Sequence, residues 1–499
     1  MNSPEIDEAP TPDEAVSDVR ASWESPAAQF GHEVGPLHEW AERRERVARA
    51  PHWLLVLCIF TFSGCDSESA SPSDRTPGAY VLSDSVDLRY SDRTDETIDA
   101  GDFFSDTTVV WSADQFGSGT TGFGDVHVTL PVNIEVTGGE NVTLNVEDVF
   151  GDNQFTWQRL ESLSDEAWRV GGEVEVDMPV VIRVSDSRAV LVDLEDVFGD
   201  NSFTWTVGTP AGADATLAVG QISGGVGGPF QISMSVTVEV VDSEDVEVDV
   251  EDVLNDSRFT WVGGDRGAAA FVGGPMRFEV PLTFRVERSE RVRINLEDTA
   301  GDLTLDWIAG VGDSVGGPVR FDVPTTFDVV DSRDVNIDFE DQGGDNIFTW
   351  TVDGPEAGPT ELTSSVAVRT PAEFRVVDSR GVKVNSEDFF GDNVFVWTGP
   401  FPSGARPGLD GSVSASASAT FQVEVSDDVT IDAEDVYGDN LFAWEPTGLD
   451  QASPLPPSVY EVVGAVSRDV VESDSVTIEF ANLNRGNRYL WGPPTGVDR

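Results

Sequence analysis

The sequence predicts an all-β tandem-repeat fold, a β-solenoid, on three observations. Nine tryptophans, Trp111, Trp157, Trp205, Trp261, Trp307, Trp350, Trp397, Trp444 and Trp491, recur at steps of 46, 48, 56, 46, 43, 47, 47 and 47 residues. Six of them close a run similar to Glu195-Asp196-Val197-Phe198-Gly199-Asp200-Asn201-Ser202-Phe203-Thr204-Trp205. Between these runs apolar and polar residues alternate at period two, and nothing beyond the N-terminal segment has the 3.6-residue periodicity of a helix. A period of this kind means stacked supersecondary units, none able to bury its apolar face alone.

Each unit opens on a long alternation. In the unit ending at Trp350, Val319, Phe321, Val323, Thr325, Phe327 and Val329 point one way, while Arg320, Asp322, Thr326 and Asp328 occupy most of the sites between them. Alternation of this kind is a strand with one wet face. Twelve residues is long for a strand, and Pro131, Pro179, Pro281, Pro324 and Pro371 interrupt the run in several copies. Proline has no ladder donor, so two shorter strands meeting at a bend also fit. A turn such as Asp331-Ser332-Arg333-Asp334 follows, then a strand with Val335, Ile337 and Phe339 inward and Asn336 and Asp338 outward. An acidic loop leads to a short aromatic strand, Phe348 to Val352, and a Gly/Pro-rich connector such as Gly224-Gly225-Val226-Gly227-Gly228-Pro229 closes the unit. The aromatic pair, such as Phe203 and Trp205, reads as core packing rather than a sugar-stacking platform.

The alternative architecture is a β-propeller, whose blades have about this length. Inner blade strands are covered on both faces, whereas these strands carry Asp, Glu or Arg at nearly every alternate position, which favours one inner and one wet face. Asp331-Ser332-Arg333-Asp334-Val335-Asn336-Ile337 and Glu472-Ser473-Asp474-Ser475-Val476-Thr477-Ile478 resemble the Ser-x-x-Val-x-Ile rungs of right-handed parallel β-helix proteins. That resemblance implies a right-handed coil. Rungs in that family are about half this long, so each unit would need a long loop or a fourth wall.

Composition narrows the function. A net charge of −61, from 91 acidic and 30 basic residues with Lys383 the sole lysine, leaves no basic face for a phosphate backbone, so nucleic acid is excluded as a partner. Such a surface attracts cations and suits salty surroundings, where screening acts within about 8 Å. The only cysteines, Cys58 and Cys65, lie together in one N-terminal segment, so no disulfide framework supports the repeats.

Residues 49–65 have a basic flank (Arg43, Arg44, Arg46, Arg49), an apolar stretch from Trp53 to Phe62 and small residues at the end, the pattern of an export signal. The apolar stretch is too short to span a bilayer, which takes about 20 residues as a helix. Phe62-Ser63-Gly64-Cys65 resembles the lipobox of bacterial lipoproteins, with Phe62 departing from the usual Leu. The resemblance implies cleavage before Cys65, lipidation of that cysteine, and location at the outer membrane or cell surface or on the periplasmic side. Residues 66–78 then read as a flexible tether, residues 1–48 as disordered or as an extension ahead of a true start at Val47 or Val34, and residues 79–499 as the nine-repeat domain.

Carboxylate and amide side chains keep fixed offsets from each tryptophan: Asp193, Glu195, Asp196, Asp200 and Asn201; Asp338, Glu340, Asp341, Asp345 and Asn346; Asp432, Glu434, Asp435, Asp439 and Asn440. Hard oxygen ligands in a Gly-containing loop suit Ca²⁺, and stacking would bring like carboxylates to about 5 Å, where a bridging cation reverses their repulsion. The competing explanation is that Asp and Asn favour turns for local hydrogen-bonding reasons. In the last copy Ala481, Asn482, Gly486 and Asn487 replace four of these residues, as expected of a terminal cap.

His127 is the one histidine after Cys65, so no histidine triad or histidine metal cluster can form in that part of the chain. Nor is there a phosphate loop or nucleotide fingerprint. The expectation is a non-enzymatic, monomeric, calcium-stabilised structural or adhesive protein, tied to the membrane by its lipid alone and meeting an extracellular polymer or protein. The alternative is a carbohydrate-binding or polysaccharide-degrading β-helix protein. Its signature would be one non-repeating cluster of acids and arginines, for which Arg159, Arg169, Arg183 and Arg188 are the nearest candidates.

Overall fold

In the computed structural model the described residues are 79–99, 106–112, 124–147, 149–160, 168–208, 224–251, 253–254, 256–263, 271–297, 301–310, 314–340, 344–353, 361–362, 365–386, 392–400, 412–434, 440–447, 459–481 and 488–491. Every strand pair is parallel, and each strand's partners are its equivalents in the coils before and after it. This is a parallel β-solenoid of nine coils among the described residues. A propeller would need sheets confined within single repeats, which the pairing rules out.

One coil illustrates the rest. Coil 3 runs through Val174–Asp177 and Val180–Ser185, which form the first wall, then Arg188–Glu195 in the second and Ser202–Gly208 in the third. Gly224–Val226 adds a short fourth wall, which recurs in coils 2 to 6. Three walls, a short fourth in five coils, and the connectors between them together make up the repeat. The first wall has two strands in coils 1 to 6 but one continuous strand in coils 7, 8 and 9, at Ser365–Val377, Ser412–Glu424 and Val459–Val471. Pro371 lies within the first of these, paired with Ser418, so proline alone does not dictate the break.

Strict register places each residue beside its own counterpart, and the core is therefore a set of columns. Trp111, Trp157, Trp205, Trp261, Trp307, Trp350 and Trp397 are buried and stack with ring centroids 4.7–5.0 Å apart. Their planes lie within 6° of parallel except at the first pair, where the angle is 18°. The spacing is that of hydrogen-bonded strands, so the backbone ladder sets the stacking geometry. Phenylalanines form parallel columns, among them Phe284, Phe327, Phe374 and Phe421 at 4.9–5.0 Å.

The connector glycines follow from this packing. Gly227 and Gly273 adopt φ of 113° and 130°, and a Cβ on Gly227 would overlap the Gly273 carbonyl and come within 2.9 Å of Trp261 Nε1. The Gly-Gly corner thus lets the chain turn directly against the indole stack. The Trp157 Nε1 donates to the Gly124 carbonyl at 2.8 Å, whereas the indole nitrogens of Trp205, Trp261, Trp307 and Trp350 are buried with no acceptor among the described residues.

Two apolar columns end in charge. The column Leu88, Ile134, Ile182, Val238, Phe284, Phe327, Phe374, Phe421 terminates at Arg468 in coil 9. On the second wall, the valine column through Val142, Val190, Val246 and Val292 begins at Glu96 in coil 1, where Arg93 lies 3.6 Å away. Arg468 is exposed and Glu96 partly buried, and a charge at this register position of an edge strand penalises addition of another strand, because stacking would bury it.

Two outcomes follow. Trp261→Ala, in the middle of the indole column, is expected to lower stability by about 3–5 kcal/mol, read as a fall in the urea midpoint. The double substitution Arg468→Phe with Glu96→Val is expected to convert the chain into extended end-to-end assemblies in light scattering, while the native sequence forms none.

Candidate functional site

Two rows of polar groups run along the coils, and they differ in what they leave available. The first is the loop between second and third walls. Asn201, placed by its sequence offset among the metal ligands, is buried: its Oδ1 accepts the Asn153 backbone N–H at 3.0 Å and its Nδ2 donates to the Phe198 and Gly199 carbonyls. Asn153 and Asn346 make the same kind of contacts. These asparagines form a ladder in which one amide side chain meets both the donor and the acceptor needs of a buried turn. Asp200 donates its backbone N–H to Asp152 Oδ1, Asp345 to Asp302 and Asp392 to Asp345, at 2.6–2.8 Å. Burial pushes the carboxyls of Asp200, Asp302 and Asp345 above the ordinary aspartate range, with neighbouring aspartates adding to the rise. Asp196 sits at φ 53° and its carbonyl accepts the Gly199 N–H, so it shapes the turn.

The second row is the outward face of the second wall. Asp193 pairs in register with Asp249, Glu195 with Glu251, and Glu251 with Glu297. Amides interrupt the aspartate column at Asn145, Asn295 and Asn385, and Asn295 Nδ2 donates to Asp249 and Asn385 Nδ2 to Asp338, both at 2.9 Å. An amide between two carboxylates replaces repulsion with a hydrogen bond. No amide separates coils 3 and 4, where Asp193, Glu195, Asp249 and Glu251 make a two-by-two carboxylate patch. There burial, followed by the charges of Asp249, Glu297, Glu195 and Asp193, pushes the Glu251 carboxyl up to about 7. Asp249 and Glu251 escaped the sequence reading although they occupy the same offsets in their repeat; the adjacency of two all-acid coils was the signal.

Among the other sequence candidates, Asp338 accepts from Asn385, the Glu340 N–H donates to the Leu296 carbonyl, and Asp432 Oδ1 is buried without a hydrogen-bond partner among the described residues. Asp341, Asp435 and Asp439, the side chain of Glu434, and Cys65 with its signal segment lie outside the described residues. Among the described residues no three His, Cys, Asp or Glu side chains converge to cage a metal ion. The acids form rows, which suit ions bridging neighbouring coils better than one enclosed seat.

Acids and arginines cluster at the corner between first and second walls. Beneath them runs a ladder of buried serines, in which Ser187, Ser243, Ser289, Ser332 and Ser379 each donate a backbone N–H to the hydroxyl of the next serine at 3.1–3.2 Å. Above it, Arg288 pairs with Asp242 at 2.7 Å, and Arg291 with Asp245, Glu244 and Glu290. These arginines hold Asp242 and Asp245 below the usual carboxylate range. Arg183 reaches Glu239 at 2.8 Å, and Arg188 lies 3.7 Å from both Glu244 and Asp245. The side chains of Arg159 and Arg169 fall outside the described residues. The cluster therefore links coils 3, 4 and 5 through exposed ion pairs, which solvent and salt screen. The tryptophans expected to decide between core and sugar platform are core, as Trp157 to Trp350 are all 0% exposed.

The raised Glu251 carboxyl makes stability fall with pH. A carboxyl that titrates higher in the folded than in the unfolded chain stabilises the fold in its protonated form, fully so below its ordinary value of 4.5, and that contribution disappears as pH rises through about 7. The melting midpoint is therefore expected to drop across this window, and Glu251→Gln to flatten the drop and raise the midpoint on its alkaline side, as followed by circular dichroism.

The chain matches no protein-family model, no curated protein and no solved structure.

Proposed function

We propose that this chain is a lipid-anchored structural or adhesive solenoid, displayed at the outer membrane or cell surface, whose acidic second wall gathers calcium. The observation that carries the reading is recurrence: coil after coil turns the same kind of face outward, so a partner or ion meets a repeated surface rather than one singular pocket. The lipid anchor is supported by the Phe62-Ser63-Gly64-Cys65 sequence and the polar stretch behind it. Calcium is supported by the in-register carboxylates of Asp193, Glu195, Asp249 and Glu251, where a divalent ion between neighbouring coils would offset repulsion on the order of 1 kcal/mol or more per pair.

One preparation tests both parts. Full-length protein made in a bacterial host and labelled with radioactive palmitate is expected to carry label, and Cys65→Ser to lose it; label retained in the variant removes the anchor. The same protein is expected to melt higher in millimolar calcium than in chelator at neutral pH, with less gain in Glu251→Gln. An unchanged midpoint removes the metal.

A further inference from the structure

The third wall departs from the rest of the surface. Its strands in coils 1 to 7, from Thr108–Ser112 to Val394–Pro400, each have three or four outward positions. The first three hold Thr108, Val110 and Ser112, then Gln154, Thr156 and Gln158, then Ser202, Thr204 and Thr206, and so on through Val394, Val396 and Thr398. The only charges among these are Arg258 and Asp306, which stand in adjacent coils and pair with each other at 2.7 Å, and Asp353 holds the fourth, terminal position in coil 6. On the second wall the corresponding face carries Asp193, Glu195, Glu247, Asp249, Glu251 and Glu297 within three coils. In a chain with 91 acidic residues, one regular wall with so few charges across seven coils is a marked asymmetry.

We infer that the third wall is a self-association face, through which two copies pack sheet on sheet. A molecule of charge −61 repels its copies everywhere that acid is displayed, so close approach is easiest at the wall with the least charge. The residue types fit that use: Thr, Val and Ile side chains on a flat pleated surface interdigitate when sheets stack about 10 Å apart. Val110 is 50% and Ile347 40% exposed on this wall, leaving apolar area to bury. Seven strands about 4.8 Å apart and roughly 20 Å long give on the order of 600 Å² per copy, or about 1,200 Å² in a pair, at the lower bound of a stable specific interface. The occupant is a second copy rather than a sugar polymer, because the aromatic side chains of this wall point inward and are buried. Facing copies of the same wall form a closed pair, and Arg468 and Glu96 oppose growth at the ends.

Sedimentation equilibrium of the full chain tests this. The native protein is expected to show a monomer–dimer equilibrium that strengthens with added salt, since screening weakens repulsion between the acidic rims. Thr204→Glu with Thr349→Glu is expected to weaken dimerisation at least about tenfold, while Thr143→Glu on the second wall leaves it unchanged and circular dichroism shows both variants folded. A native protein that stays monomeric in high salt overturns the inference, as does a dimer insensitive to the third-wall pair or equally sensitive to Thr143→Glu.

Discussion

In-register parallel pairing is the constraint from which the rest follows. Each residue is held about one strand spacing from its own counterpart, so whatever a position carries is repeated against itself. For apolar side chains this is favourable without further adjustment, and the indole and phenylalanine columns result. Buried polar side chains succeed only if they both donate and accept, and Asn and Ser fill those positions: Asn201 and Ser243 serve as acceptors for the preceding coil while donating within their own turn.

Carboxylates are the residues this constraint punishes, and the chain contains 91 acidic residues. Three devices answer the problem. Amides interrupt the aspartate column, backbone N–H groups meet the aspartates of the loop, and arginines tie the corner of coils 3 to 5. Of these devices an amide reaches one member of the patch around Glu251, where Asn295 Nδ2 meets Asp249. Burial first, and then the charges of Asp249, Glu297, Glu195 and Asp193, raise the Glu251 carboxyl to about 7, so that glutamate keeps its proton to about neutrality.

Much of this architecture was legible in the sequence. Period-two alternation identified the inward residues, the tryptophan steps gave the coil length, and the covered indoles agree with their reading as core. What was not legible depended on contacts between coils. Asn201 looked like a ligand because its offset is fixed, yet an amide needed at every buried turn recurs at a fixed offset for the same reason. The Gly-Gly corner read only as a Gly/Pro-rich connector, but its glycines are demanded by the carbonyl of the next coil and by the indole. Pro371 suggested a bend, yet its strand runs through unbroken, since the paired Ser418 backbone follows the same path. The charge-poor wall is a property of seven strands seen side by side and is invisible in any one of them.

The serine and asparagine ladders run one way. Thr107 is met by Asn153, Gly139 by Ser187, Ser332 by Ser379 and Ser426 by Ser473, so in each case the earlier coil's amide waits for the later coil's side chain. The stack therefore has a polarity: each coil's turn donors depend on the coil that follows it in the chain, so removing one coil would open the donors of the coil before it.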